Sequence, residues 1–396
     1  MTIVMLGQKG LPARSGGIER HVSLLSSGLA ARGHRVVVYG RQWYAKEGVK
    51  QDGNLEQRFS KGLTTKHLDA ITHGCTALWD ARQLNPDILH IHGAGTALLL
   101  PLARLLHPHA KIITTFHCID WEHAKWGPVA RFAFRLGEWL MGRHSDRVIT
   151  VSEALTRYCL RSYNVQTEYI AHPFTLPSTP LQAEEIVNSF KLAPERYLLS
   201  VSRLVAHKQP HLLITAYREA LQRFPALFAN IPLVIVGSGS WTDGYVRQLE
   251  ALAATTPGVQ LLGEQTGASL ASLQALALAH VFPSRSEGLA FTTLEAGGYG
   301  RLAIMSDIPA NREASGGSAL FIPVGDEEAL IQALIQAASM TASERRYLGQ
   351  GFAAHVKTQY NFTERVDEMI RVYREVLHGQ GTLTTPLPLA EHMLRP

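Results

Sequence analysis

The sequence predicts an α/β protein made of two doubly wound domains. Three observations predict it. Short apolar strands alternate with helical stretches from the N-terminus onward. A patternless stretch at 172–195 holds four prolines, and the alternation restarts after it. At 396 residues the chain is long enough for two separate cores. Strands this short and this apolar, spaced by helices, belong to parallel sheets covered on both faces. Ligands of such sheets sit at the carboxyl ends of the strands, so the two domains are expected to face each other across a cleft.

In order, Ile3–Leu6 reads as a buried strand, Gly7–Gly17 as a glycine-rich loop and Ile18–Arg32 as a helix stopped by Gly33. Arg35–Tyr39, Asp87–His92, Lys111–Phe116 and Arg147–Val151 read as further strands, the last followed by a helix from Ser152. After the junction, Tyr197–Val201, Leu233–Val236, Val259–Leu262, His280–Phe282 and Leu302–Met305 are the strand candidates. Glu364–His378 reads as a closing helix, and the residues from Gly379 carry turn and proline signals of a mobile tail. The expected domains are 1–175, 176–360, and a C-terminal segment 361–396 whose helix crosses back to the first domain.

Apolar residues make up 46% and charged residues 18% of the chain, the composition of an ordinary globular protein. The net charge of +5 suits an anionic ligand or an anionic membrane surface. Nucleic acid is not expected, because no zinc-finger spacing and no basic run with stacking aromatics is present. Cys75, Cys118 and Cys159 are odd in number and far apart, which argues against a disulfide framework or a zinc cluster and for a reducing compartment. The N-terminus has no basic region followed by a cleavable apolar stretch, and no run reaches the 18 apolar residues of a membrane span. A cytoplasmic protein is expected, resting at most on the inner face of a membrane.

The chemistry concentrates in residues 284–297, Ser-Arg-Ser-Glu-Gly-Leu-Ala-Phe-Thr-Thr-Leu-Glu-Ala-Gly. A strand end, Val281-Phe282-Pro283, precedes it, and the first turns of a buried helix are expected from Leu294. Glu287 lies before the glycine turn and Glu295 just inside the helix, so both carboxylates are expected to face one ligand and accept hydrogen bonds from hydroxyls. Amides at the helix start suit an anion. Arg203 and Lys208 follow the first strand of the second domain. A guanidinium forks onto phosphate oxygens and an ammonium adds a compact charge, so the pair suits a diphosphate, although in isolation two solvated basic residues are the commoner reading.

Taken together, Ser202–Lys208, Glu287-Gly288 and Glu295-Ala296 resemble the retaining nucleotide-sugar glycosyltransferases of the GT-B fold, family 4, with two Rossmann-like domains. The resemblance runs in order along almost the whole chain. The loop Gly7–Arg20 looks most like that of bacterial surface-polysaccharide enzymes, among them rhamnosyl- and mannosyltransferases. It implies that Glu287 contacts the donor sugar, Glu295 the nucleotide ribose, and Arg203 and Lys208 the diphosphate, with Gly288, Leu289, Ala290 and Phe291 completing that edge of the donor site. The amides of Gly16 and Gly17 would meet the donor phosphates. Glu19 is either part of the site or only a first-turn acid that complements the helix dipole. His117 would hydrogen-bond the sugar or the acceptor, while His92 is balanced between a site role and packing. The turn at Gly237 would lie beside the nucleotide and the backbone near Glu264 beside the base. Leu233–Gly239 imitates a dinucleotide fingerprint, but Thr242 stands at the third glycine, so a nicotinamide cofactor is not expected.

The chain departs from the family twice. It has Ala206-His207-Lys208-Gln209 where Pro-Glu-Lys-Gly is common, and Ile170-Ala171-His172-Pro173 where Ile-Pro-Asn-Gly is common. The implied reaction retains anomeric configuration and moves a hexose to a saccharide or lipid-linked acceptor in polysaccharide synthesis. It needs no cofactor and no metal, since no Asp-x-Asp lies between short strands and fixed positive charge would stabilise the leaving diphosphate. A sugar-nucleotide epimerase and a catalytically silent nucleotide-sugar-binding protein are the competing readings. Residues 121–144, aromatic and basic at helical spacing, read either as a membrane-contacting face or as a core-facing helix with a wet side.

Overall fold

The computed structural model describes residues 1–13, 16–44, 51–65, 68–122, 126–239 and 242–380. The chain folds as two units. One is Met1–Phe174 together with the segment beginning at Tyr360, and the other is Thr175–Gln359.

In the first unit the strands are β1 (Thr2–Leu6), β2 (Arg35–Arg41), β3 (Gln51–Asp52), β4 (Leu55–Ser60), β5 (Ile88–His92), β6 (Lys111–Phe116), β7 (Arg147–Thr150) and β8 (Glu168–Tyr169). Their order across the sheet is β3-β4-β2-β1-β5-β6-β7-β8. All neighbours run parallel except β3 and β4, a small antiparallel edge. The central strands β1, β5 and β6 are almost wholly buried, as apolar strands with helices on both faces must be. The closing helix, Phe362–Leu377, has apolar residues at helical spacing on a single stripe. Val366, Met369, Ile370 and Tyr373 enter the same core as Ile3, Val22 and Leu25. Gly28 lets this helix lie close to the Gly17–Ala31 helix, since a Cβ there would sit 2.7 Å from Val366 Cγ2.

The second unit has β9 (Leu198–Val201), β10 (Leu233–Val236), β11 (Val259–Leu261), β12 (Ala279–Phe282), β13 (Leu302–Ser306) and β14 (Leu320–Ile322). Their order is β11-β10-β9-β12-β13-β14, all parallel. The chain therefore winds outward in one direction from β9 and in the other from β12. In the first unit it does the same from β1 and from β5. Each sheet has one point where the loops on the two sides diverge and leave a crevice at the carboxyl ends of the strands.

The expected strands are present with ends shifted by a residue or so. The expectation of a purely parallel first sheet is corrected by β3. The mobile-tail expectation for residues 381–396 lies outside the described residues.

Candidate functional site

In the second unit the crevice lies between the loops after β9 and β12. Three loops there are tied to one another. Gly237 has φ 147, and a Cβ on it would be 1.8 Å from the Ser202 carbonyl oxygen, so only glycine lets the loop after β10 press on the loop after β9. Leu204 N–H donates to Ser238 O (2.9 Å) and Gly237 N–H to Gly263 O (2.8 Å). On the other side, Arg285 N–H donates to His207 O (2.8 Å).

Gln209 closes the one-turn helix Ala206–Lys208 at φ 54, in the left-handed region, and is the residue before the Pro210–Arg223 helix. A glycine stands here in the resembling family, and the backbone shows why. Glutamine keeps the conformation because its buried amide is anchored: Nε2 donates to Pro283 O (2.8 Å) and Oε1 accepts from Arg285 Nε (3.3 Å).

Because β9 and β12 are neighbours, the turn that carries Lys208 meets the loop that carries Glu287. The Lys208 ammonium forms an ion pair with Glu287 Oε1, with only 12% and 13% of the two side chains exposed. An ion pair so far out of water is weak evidence of stabilisation, because desolvation offsets the attraction. Arg203 is exposed on the preceding loop, and Glu264, also exposed, accepts from Ser238 Oγ (3.0 Å).

The second acid is placed differently from the expectation. The helix starts at Phe291, three residues earlier than Leu294, with Ala290 as its N-cap. Glu295 is therefore in the second turn and not the first. It is 1% exposed and accepts from Gln274 Nε2 (2.7 Å). The Gln274 carbonyl in turn bonds His280 Nε2 (3.0 Å), whose ring burial pushes down to a pKa of about 4. Glu287 and Glu295 have different partners and different exposure. Ala290 has no polar side chain to cap its helix. Gly288, Leu289 and Phe291 are buried and form the wall beneath the loop.

In the first unit the crevice lies between the loops after β1 and β5. Gly7, at φ 112, brings them together: a Cβ there would be 2.1 Å from His92 O. Gly16, at φ 101, is the N-cap of the Gly17–Ala31 helix. Glu19 is buried and folds back on the loop, where its Oε1 accepts from Lys9 N–H (3.2 Å), and a Cβ on Gly16 would sit 2.0 Å from its Oε2. Of the two readings of Glu19, the geometry gives it a third: it braces the glycine loop. A Cβ on Gly17 would meet nothing within 4 Å. Arg14 and Ser15 of this loop lie outside the described residues.

His117, just past β6, is not a lone histidine. It is buried among three others that the strand ends and one helix bring together. His92 is the last residue of β5, His172 follows β8, and His21 is on the Gly17–Ala31 helix. His92 Nδ1 lies 3.2 Å from His117 Nε2, and His21 Nδ1 lies 2.9 Å from His172 Nδ1. Burial, and then the neighbouring rings, hold His21, His92 and His117 well below the usual imidazole range. His90 stacks behind His92 at 4.1 Å, with both nitrogens bonded, to Tyr373 OH and Thr115 Oγ1 (2.6 Å each). Burial lowers it to about 3. Sequence reasoning passed over His21 and treated His172 only as a departure. The available signal was that three of the four histidines stand at the carboxyl ends of strands of one sheet.

The 121–144 stretch has a buried part and an exposed part. Its helix is Pro128–His144. The C-terminal half is core-facing: Glu138 is buried, accepts from Tyr158 OH (2.9 Å) and from Tyr163 OH, and burial raises its pKa to about 8. The N-terminal turns are exposed, with Val129 84% and Phe132 53% accessible beside Arg131. Arg135 is half-buried against the Trp121 ring (5.2 Å to its centroid) and so does not lie on the exposed face. Lys125 lies outside the described residues. Among the described residues no helix is long and apolar enough to cross a membrane.

Residues 15–172 match the family model of Glycosyltransferase Family 4, and residues 182–352 match that of Glycosyl transferases group 1. A glycogen synthase of Mycobacterium tuberculosis is 25% identical over all of this chain and 99% of its own length. O-antigen chain mannosyltransferase B of Escherichia coli is 24% identical over 67% of this chain and 69% of its own. Among solved structures, Anabaena HepE in complex with UDP and glucose superposes with a TM-score of 0.76 at 14% identity, covering 95% of this chain and all of that one. The chain is a glycosyltransferase of the GT-B fold.

Proposed function

We propose that this GT-B glycosyltransferase moves a hexose from a nucleotide-diphosphate sugar to a saccharide or lipid-linked acceptor, with retention, in the synthesis of bacterial surface or extracellular polysaccharide. The observation that carries the reading is the Lys208–Glu287 ion pair at the divergence of β9 and β12. A diphosphate entering that crevice competes for the ammonium and frees the carboxylate for a sugar hydroxyl. One pair of side chains thereby senses both halves of the donor. Arg203 adds a second cation, and the helix amides after Ala290 a third source of fixed positive charge. These stabilise the leaving diphosphate as charge develops on it, in the role a metal would otherwise take there. Glu295 hydrogen-bonds the ribose from the second turn, with Gln274 orienting it. His117 contacts sugar or acceptor, and the Gly16 and Gly17 amides meet donor phosphates.

Support for a nucleotide sugar comes from the neighbour solved with UDP and glucose, and support for a polysaccharide product from the O-antigen mannosyltransferase relative. Retention follows if the acceptor attacks the face from which the diphosphate departs, so that no carboxylate becomes a covalent nucleophile. The exposed Val129, Arg131 and Phe132 favour an acceptor presented at the cytoplasmic face of a membrane.

A thermal-shift screen over UDP, GDP, dTDP and ADP tests the donor, since a nucleotide that binds the native state raises its melting temperature. No shift with any of the four removes the reading. The matching sugar nucleotide is then incubated without acceptor. Conversion of the sugar to its epimer would make the protein an epimerase, whereas slow hydrolysis at most is expected of a transferase. The anomeric configuration of the transferred sugar, read by NMR, decides retention.

A further inference from the structure

The four clustered histidines His21, His92, His117 and His172 are more nitrogen than a hydrogen-bonded core needs. Buried polar atoms are almost always partnered, and one left without a partner costs about 1–3 kcal/mol. Here His21 Nε2, His92 Nε2 and His117 Nδ1 are all buried without a hydrogen-bond partner. They belong to three rings whose mutual centroid distances are 5.5, 4.9 and 5.4 Å. Each ring can present one nitrogen such that all three atoms lie within 4.8 Å of one another. Three neutral imidazoles offer three lone pairs and no compensating charge. This donor set suits a divalent transition ion and is poor for magnesium or calcium, which take oxygen.

We propose that His21, His92 and His117 form a binding site for one zinc-class divalent ion, with His172 as the outer partner that fixes the His21 ring. The distances support a small adjustment and not a rebuilding. Nitrogens bound tetrahedrally to zinc stand about 3.3 Å apart, as two zinc–nitrogen bonds of about 2.0 Å require. His92 Nδ1 and His117 Nε2, now bonded to each other at 3.2 Å, would be the ligating atoms of these two rings, and the orphaned nitrogens of both rings lie outside the ligand set. His172 Nδ1 occupies the Nδ1 side of His21 at 2.9 Å, so His21 ligates through Nε2, its unpartnered nitrogen. Outer bonds of this kind commonly orient a ligating imidazole. His90 is excluded as a ligand because both its nitrogens are taken. The ion would join the Gly17–Ala31 helix to the ends of β5 and β6. This inference shares His117 with the proposed transfer reaction and does not depend on which donor is used.

The test is cobalt and zinc binding to the full-length, tag-free protein. One equivalent of Co2+ is expected to give the visible absorption of a low-coordinate, nitrogen-ligated ion, and one equivalent of Zn2+ to displace it and raise the melting temperature. His92→Asn and His21→Asn should lower affinity at least ~10-fold, the lower end for loss of a metal-supporting group. The exposed-residue control His109→Asn should not. A spectrum of six-coordinate, oxygen-rich cobalt, or affinity unchanged in both variants, overturns the proposal. If the variants do not fold, X-ray absorption on the wild-type zinc form decides. Three imidazole nitrogens at about 2.0–2.1 Å support the site, and fewer than three overturn it.

Discussion

At the divergence point of the eight-stranded sheet, the loops after β1 and β5 meet over buried imidazoles. At that of the six-stranded sheet, the loops after β9 and β12 meet over an ammonium and a carboxylate. Both sheets use a glycine at positive φ to press one strand-end loop onto a neighbouring carbonyl, but in different places: Gly7, after β1, meets His92 O of β5 across the divergence, whereas Gly237, after β10, meets Ser202 O after β9 on one side of it. The side chains differ because the solvent access differs. Rings sealed from water are held neutral, whereas a pair that keeps some water contact remains an ion pair. Equivalent positions in two copies of one architecture thus carry opposite electrostatic roles, and the comparison can be tested from both sides.

Acid gives the largest expected effect. His21, His73, His90, His92 and His117 of the first unit all have depressed pKa values, with His73 at about 4 and His90 at about 3. In the second unit only His211 and His280 are so shifted among the described residues. A histidine whose folded pKa lies below its unfolded value of about 6.5 contributes stability that is present above that pH and lost as pH falls toward the folded value. Each such group adds up to ~1.4 kcal/mol per pH unit in that window. Between about pH 6.5 and 4, hydrogen exchange should therefore show the first unit losing protection before the second. The reverse order would break the comparison.

Next in size is Lys208→Ala, expected to slow transfer at least ~100-fold if its charge acts mainly as the diphosphate leaves. Unchanged turnover in a folded variant would reduce the ion pair to a structural contact. Gly7→Ala and Gly237→Ala should each cost about 2–3 kcal/mol in denaturant unfolding, from a strained backbone and a blocked approach. Similar values would show that the two close approaches cost alike, although only that of Gly7 spans its crevice. Smallest and most discriminating are the two acids. Glu295→Gln should weaken free nucleoside diphosphate by about 1.5–3 kcal/mol in calorimetry, the range for a hydrogen bond to a charged group. Glu287→Gln should leave that affinity nearly unchanged while weakening the sugar conjugate. A reversed pattern would exchange the roles of the two residues.

The strands that carry the crevices were legible in the sequence because β1, β5, β6, β9, β10, β12 and β13 are short, mostly apolar runs set between helical stretches. The two-residue β3 and β8 were not, and neither was β4, whose Leu-Glu-Gln-Arg-Phe-Ser alternates only weakly at a sheet edge. Lys208 and Glu287 were legible as chemistry. That they pair follows from β9 lying beside β12, a non-consecutive neighbour that spacing along the chain does not reveal. Glu295 was misplaced by one turn because Phe291-Thr292-Thr293 has weak helix propensity, and burial of Phe291 and Leu294 overrides it. The histidine cluster was hard to read because its members are 25 to 151 residues apart in the contacts that join them, and only their places at strand ends hint at it.

The first unit is discontinuous, and this bears on how the protein is made. Its core awaits the helix Phe362–Leu377, including the Tyr373 hydroxyl that bonds His90, yet all of Thr175–Gln359 is translated in between. At about 5–20 residues per second, the ribosome takes roughly 10–40 s over that interval. During it, the nascent N-terminal portion has Val22, Leu25 and their neighbours without the helix that covers them, while the second unit emerges with every strand of its own sheet. Synthesis begins with the histidine-rich half but is expected to finish folding it last, which makes that half the natural client of a chaperone acting at the ribosome.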